Sequence, residues 1–179
     1  MDIIDRIDKA LFNNVLSETK MNIVSLIRDN DNITRLLKYN AANALNETNP
    51  ITSTIKKEIY SQNSPNKRVF LSGFDGQAVE ETRSEIHISF DSINPTQAST
   101  TKIPFLTIDV VVADAINVLD DGMSLRHDRL FQEICDTIEG YSVGTVGHIE
   151  MIHPARELVL LGNTHLIWSA NYKVGEIKR

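Results

Sequence analysis

Five histidines, one cysteine and one Gly-x-Ser-x-Gly run are the residues of this 179-residue sequence whose types and spacing bear on chemistry. His148 and His153 are near neighbours in the chain, and His165 lies farther on. A zinc site needs several His or Cys ligands converging on one point, and the sequence offers neither His-Glu-x-x-His nor Cys-x-x-Cys. With residues 146–152 read as a strand, His148 shares a face with Glu150 and His153 lies past the strand end. These read as ordinary polar or interface histidines. Arg126-His127-Asp128 holds a His–Asp pair, but it opens an amphipathic helix, where Asp128 suits the positive end of the helix dipole. Cys135 falls on the apolar stripe of that same helix. A nucleophilic cysteine needs an electropositive, partly exposed setting, so a buried, inert thiol is expected.

Gly140-Tyr141-Ser142-Val143-Gly144 matches the nucleophile elbow of serine hydrolases in letters only. The elbow joins a strand to a following helix, so that the serine is held up at the turn, with its acid and histidine later in the chain. Here a helix precedes Gly140, a strand follows Gly144, and a short tail remains. The glycines at 140, 144 and 147 fail as a phosphate cradle for the same reason, since the field of a helix N-terminus must follow the loop. They read as a helix-to-strand turn with Gly140 as cap. No catalytic residue, cofactor or metal ligand is assigned, and a hydrolase built on Ser142 is kept only as a remote alternative.

The elements around these residues are read from periodicity. Ile3, Ile4, Ile7, Leu11 and Phe12 recur at helical spacing, predicting a helix from Asp2 to about Ser17. Ile23, Val24 and Ile27 form a second apolar face. The polar run Arg28 to Asn32 reads as a break, and Ile33, Leu36 and Leu37 continue a short helix to Tyr39. Ile51 to Tyr60 reads as one more. Strand signals follow at Arg68 to Leu71, at Ile86 to Phe90 and, most strongly, at Ile103 to Ala113, which is apolar on both faces and therefore central. Asp91 to Lys102, rich in Ser and Thr with Pro95, is expected to be an exposed loop. Arg126 to Glu139 is an amphipathic helix, Val146 to Ile152 a strand, Leu158 to Leu161 a possible short strand, and His165 to Val174 the last strand. The expected fold is α+β: a mainly antiparallel sheet of four to five strands with helices packed on one face, plus N-terminal helices. Residues 1–66 form an N-terminal helical region and 67–179 an α/β sheet core, together one compact unit.

The net charge of −6, with basic pairs only at Lys56-Lys57, Lys67-Arg68 and Lys178-Arg179, argues against a grip on nucleic-acid phosphates. An acidic wall past which DNA slides fits the same balance. One cysteine allows no intramolecular disulfide, and a reducing compartment is the expected setting. The N-terminus lacks the basic start and apolar run of a secretory signal. No stretch approaches the ~20 apolar residues of a membrane span, so no membrane role is expected.

Taken together, Ile33-Thr34-Arg35-Leu36-Leu37-Lys38-Tyr39, Lys67 to Leu71, the strands Arg83 to Phe90 and Ile103 to Ala113, the helix Arg126 to Glu139 and the turn Ser142-Val143-Gly144-Thr145-Val146-Gly147 resemble neck proteins of tailed bacteriophages, of the tail-terminator or head–tail connector type. The resemblance runs from about Met21 onward, and the segment Asp2 to Ser17 has no place in it. It implies a structural, non-enzymatic virion protein made in the host cytoplasm. It also implies a homo-oligomeric ring, commonly of six subunits, that meets the tail tube and the head connector with DNA passing through its lumen. A small adaptor that binds one protein through the apolar faces of its N-terminal helices is the alternative.

Overall fold

In the structure, a computed structural model, residues 17–74, 81–95, 101–143, 147–152, 156–159, 164–174 and 177–178 are described. The helix expected over Asp2 to Ser17 lies outside them, Ser17 apart.

Helix α1 covers residues 17–29 and buries Ile23, Val24 and Ile27. Helix α2 follows at once as Asp31–Lys38, so the expected five-residue break shrinks to Asn30. The reason is the cap: the Asn30 side chain accepts from the backbone N–H of Asn32 at 2.9 Å and of Ile33 at 3.3 Å. Those donors have no partner within the helix, so a single Asn can stop one helix and start the next. Helix α3, Ser53–Tyr60, is capped in the same way by Thr52, whose Oγ1 accepts from Ile55 N at 3.2 Å. Helix α4 is Arg126–Ile138, with Leu130, Ile134, Cys135 and Ile138 buried along one stripe. It is followed by Gly140 at φ +75°, the left-handed conformation a side chain disfavours.

The strands are β1 Val69–Phe70, β2 Ser84–Pro95, β3 Thr101–Ala113, β4 Ser142–Val143, β5 Gly147–Met151, β6 Arg156–Val159, β7 His165–Val174 and β8 Ile177–Lys178. The sheet runs β1-β2-β3-β7-β5-β4, with β6 also on β7 and β8 on β3. Every pair is antiparallel except β1 with β2. The α+β, mainly antiparallel fold is thus as the periodicity predicts. The five longer strands are β2, β3, β5, β6 and β7; the others are two-residue pairings at the margins.

Of the loop expected from Asp91 to Lys102, both described ends are strand. Strand β2 continues to Pro95 and β3 starts at Thr101, with Asn94 opposite Ile103, Pro95 opposite Lys102 and a register shift between Asp91 and Asn94. Polar Ser and Thr satisfy a pleated, solvated strand as well as a loop, so composition cannot separate the two where pairing is supplied by a distant partner. Proline at the strand's last residue removes no needed donor from an interior position.

Strand β3 is central, between β2 and β7. Leu106, Ile108, Val110 and Val112 face the helices, where they join Ile86, Ile88, Ala170 and Tyr172 from the sheet and Leu36, Leu37, Ile59, Ile134 and Ile138 from the helices in one apolar cluster. The opposite face of β3 is also covered: Thr107, Asp109 and Val111 are buried.

Candidate functional site

Ser142 is exposed on β4, after α4 and before the turn, so the helix-then-strand order read from the sequence is the order in the fold. Antiparallel pairing makes His148 its cross-strand partner. The ring Nδ1 of His148 lies 3.2 Å from the carbonyl of Gly140, however, and among the described residues no carboxylate orients the ring. His165 is at the other end of the sheet. Ile149, next to His148, pairs with Val174, whereas His165 pairs with Ala113. The ten-residue strand β7 separates the two histidines, a span of roughly 30 Å. His165 is buried, with Nδ1 3.0 Å from Thr164 Oγ1 and Nε2 3.4 Å from the Glu81 carbonyl. His153 lies outside the described residues. Among the described residues no group of three or more His, Cys, Asp or Glu side chains is placed to hold a metal ion.

Cys135 is buried, with Sγ 3.3 Å from Tyr172 Oη. Burial pushes its thiol pKa up, the reverse of what a nucleophilic thiolate requires. His127 is buried as well. Its backbone N–H donates to Asn117 Oδ1 at 3.1 Å, and its ring Nδ1 lies 2.8 Å from the same oxygen. Asp128, exposed beside it, is 3.4 Å from Nε2.

Two constellations were invisible in the sequence. The first is a polar row on the sheet face away from the helices. His87, Asp109 and Ser169 stand opposite one another across β2, β3 and β7. Ser169 Oγ donates to Asp109 Oδ1 at 2.6 Å, and Phe74 N–H donates to Asp109 Oδ2 at 3.4 Å. Two residues along β2, Glu85 accepts from Arg83 and lies 3.0 Å from His87 Nε2. Burial alone would raise the Glu85 pKa. The hydrogen bond to His87 and the charge of Arg83 outweigh it and hold the carboxyl below the usual carboxylate range. In a strand the side chain of His87 stands on the face opposite Ile86 and Ile88. Its burial comes from residues 69–74: Phe70 stacks on the imidazole at 4.6 Å, and Phe74 meets it edge-on at 5.1 Å. The row brings an acid, an imidazole and a hydroxyl together, but the Ser169 proton goes to Asp109 and Glu85 holds Nε2 of His87. That is a sheet-stapling network, not a relay toward a nucleophile.

The second is Arg126, fully buried at the start of α4. Its guanidinium donates to the carbonyls of Ile116, Leu36, Tyr39, Asn40 and Ala41, at 2.8 to 3.2 Å. Burial lowers its pKa to about 10, so it is a cation at neutral pH. Read along the chain, it was only the first residue of a helix.

The model of the YomW family, a phage-derived gene family, matches residues 30–174. No curated protein matches the chain.

Proposed function

Because the chain belongs to the YomW family, of phage derivation, we propose that it is a structural protein of a tailed-phage neck, of the tail-terminator or head–tail connector type. The phage origin of the family is the observation that carries the reading. In this reading, copies of the chain form a ring at the head–tail junction, commonly of six subunits, between tail tube and head connector. Its acidic balance suits a lumen through which DNA passes without being gripped. It is made in the host cytoplasm and ends in the virion. It is not an enzyme, and support for that comes from Ser142, Cys135, His127 and the row at His87, all of which have structural explanations.

The test is the mass of the purified full chain by light scattering, followed by negative-stain imaging alone and with phage tails. A closed ring, free or on tails, is the expected result. A monomer at every concentration that also fails to assemble on tails would overturn the reading.

A second reading, a small adaptor that binds one protein through its N-terminal helices, is favoured by Met21, which is 57% exposed on α1. It requires that removing the residues before Met21 abolish partner binding while the fold persists.

A further inference from the structure

An open groove of about 420 Å3 lies between helices α1 and α3, with Met21, Val24 and the Tyr60 ring as its apolar lining. Three cations stand at its rim, but two are already answered: Lys56 by Asp31 at 2.8 Å and Arg28 by Asp29 at 3.5 Å. Lys57 is exposed and has no ion pair among the described residues. The groove is thus an apolar hole with one net positive charge beside it. Its complement is an apolar knob with an acid at its edge.

The turn that leads into α4, residues 117–125, is such a knob. It holds Met123 at 89% and Val118 at 55% exposure. Its backbone is fixed before any contact: Val118 pairs with Leu125, Leu119 N–H donates to the Ser124 carbonyl at 3.0 Å, and the Asp121 carboxylate accepts from Met123 N–H at 2.9 Å and Ser124 N–H at 2.7 Å. A loop ordered in advance loses little entropy on docking. Asp120 N–H donates to the Ala42 carbonyl at 3.1 Å, which ties the turn to the chain just past the end of α2. The groove lies at the other end of α2, where Lys56 meets Asp31, the first residue of that helix. Eight helical residues, about 12 Å, separate the two ends. The turn therefore reaches the groove of another copy and not its own.

We infer that the 117–125 turn of one copy docks in the α1–α3 groove of the next, an inference that rests on the ring reading. Met123 and Val118 cover Met21, Val24 and the Tyr60 ring, and this apolar burial supplies the affinity. Asp120, exposed and without a cation partner among the described residues, meets Lys57 and sets the orientation. Knob and groove are different surfaces, so the contact is heterologous. Repeated head to tail, a heterologous contact closes into a ring wherever its rotation closes, whereas a self-complementary patch stops at a dimer.

The test uses two differently tagged full-length copies. One carries Val118→Cys on the turn and the other Ser53→Cys on the groove; the native Cys135 is buried and out of reach of a short bismaleimide. A cross-link joining the two tags is expected. A cross-link between two copies of Val118→Cys alone, or only within a single chain carrying both changes, would overturn the inference. In parallel, Met123→Ser should raise the concentration at which assembly appears by about tenfold. Its urea midpoint as a monomer should stay where it was, because the side chain packs on nothing within its own copy. Lys57→Glu should weaken assembly, and adding Asp120→Lys should restore it. Assembly that is indifferent to all of these changes, with no inter-copy cross-link, overturns this contact and leaves the ring reading standing. A chain that is monomeric both free and on tails removes both.

Discussion

A buried arginine without a carboxylate needs another source of negative charge, and Arg126 finds it in the backbone. Leu36, Tyr39, Asn40 and Ala41 lie at and just past the end of α2, where the last carbonyls have no partner of their own and the helix dipole is negative. A planar guanidinium carries five N–H donors, and an ammonium three on one point. Arg126→Lys should therefore keep the charge yet cost about 2 kcal/mol, and Arg126→Leu roughly 3 to 5 kcal/mol, read as a fall in the urea midpoint of unfolding. An unchanged midpoint in Arg126→Lys would mean the fork geometry is not what matters. Nothing in the letters Arg126-His127-Asp128 signals this role, because the carbonyls lie some ninety residues earlier. Glu85 makes a separate test. Its folded pKa is depressed, so its contribution to stability is present above the unfolded pKa and lost as pH falls through the folded one. Stability should thus decline as pH falls below the ordinary glutamate value of about 4.5, and Glu85→Gln should flatten part of that decline in denaturant titrations across the acid range. Cys135, whose burial was legible from its place on an apolar stripe, should react with a thiol reagent only at the rate the protein opens and become fast in denaturant.

At the scale of the element, legibility followed locality. The last strand, His165–Val174, and the helix Arg126–Ile138 are where their periods of two and 3.6 put them. Both signals are contained in the segment itself. Beyond Phe90 the polarity of the β2–β3 arm predicts a loop, but its order depends on a partner strand. The polar run Arg28 to Asn32 predicts a wider break than is found, because the capping geometry of Asn30 decides where α1 ends. Asn30 does more than cap. Its Nδ2 also donates to Glu133 Oε2 at 3.1 Å and to Thr137 Oγ1 at 3.0 Å, tying the start of α2 to the flank of α4. Asn30→Ala should cost about 1 to 2 kcal/mol in thermal or chemical unfolding. Asn30→Asp keeps an acceptor for the cap but sets a carboxylate against Glu133, so it should recover little of that loss. Full recovery would show that the cap alone matters and the link to α4 does not.

Across the whole molecule, the change from helical to strand period near residue 66 divides the sequence, but the packing does not follow that line. Ile23, Val24 and Ile27 of α1, Leu36 and Leu37 of α2 and Ile59 of α3 belong to the same apolar cluster as Ile86, Leu106, Ile108 and Tyr172 of the sheet. Arg126 and Asn30 add polar ties across the same boundary. Segments that bury one another's apolar faces lose that burial together, so the helices and sheet should unfold as one cooperative unit. The single tryptophan makes this measurable. Trp168 is on β7 and stacks near His127 and Phe131 of α4, at 5.8 and 5.6 Å, so its fluorescence reports the sheet–helix contact. Far-ultraviolet circular dichroism is weighted toward the helices, including α1 to α3. The two signals should trace a single transition with one midpoint in urea. In an assembled ring that shared midpoint should also rise with protein concentration, since association stabilises only the folded form. A helical signal lost at lower denaturant than the tryptophan signal would instead mean that the helical region up to residue 66 holds its own weaker structure and that the common core does not bind the two parts into one transition.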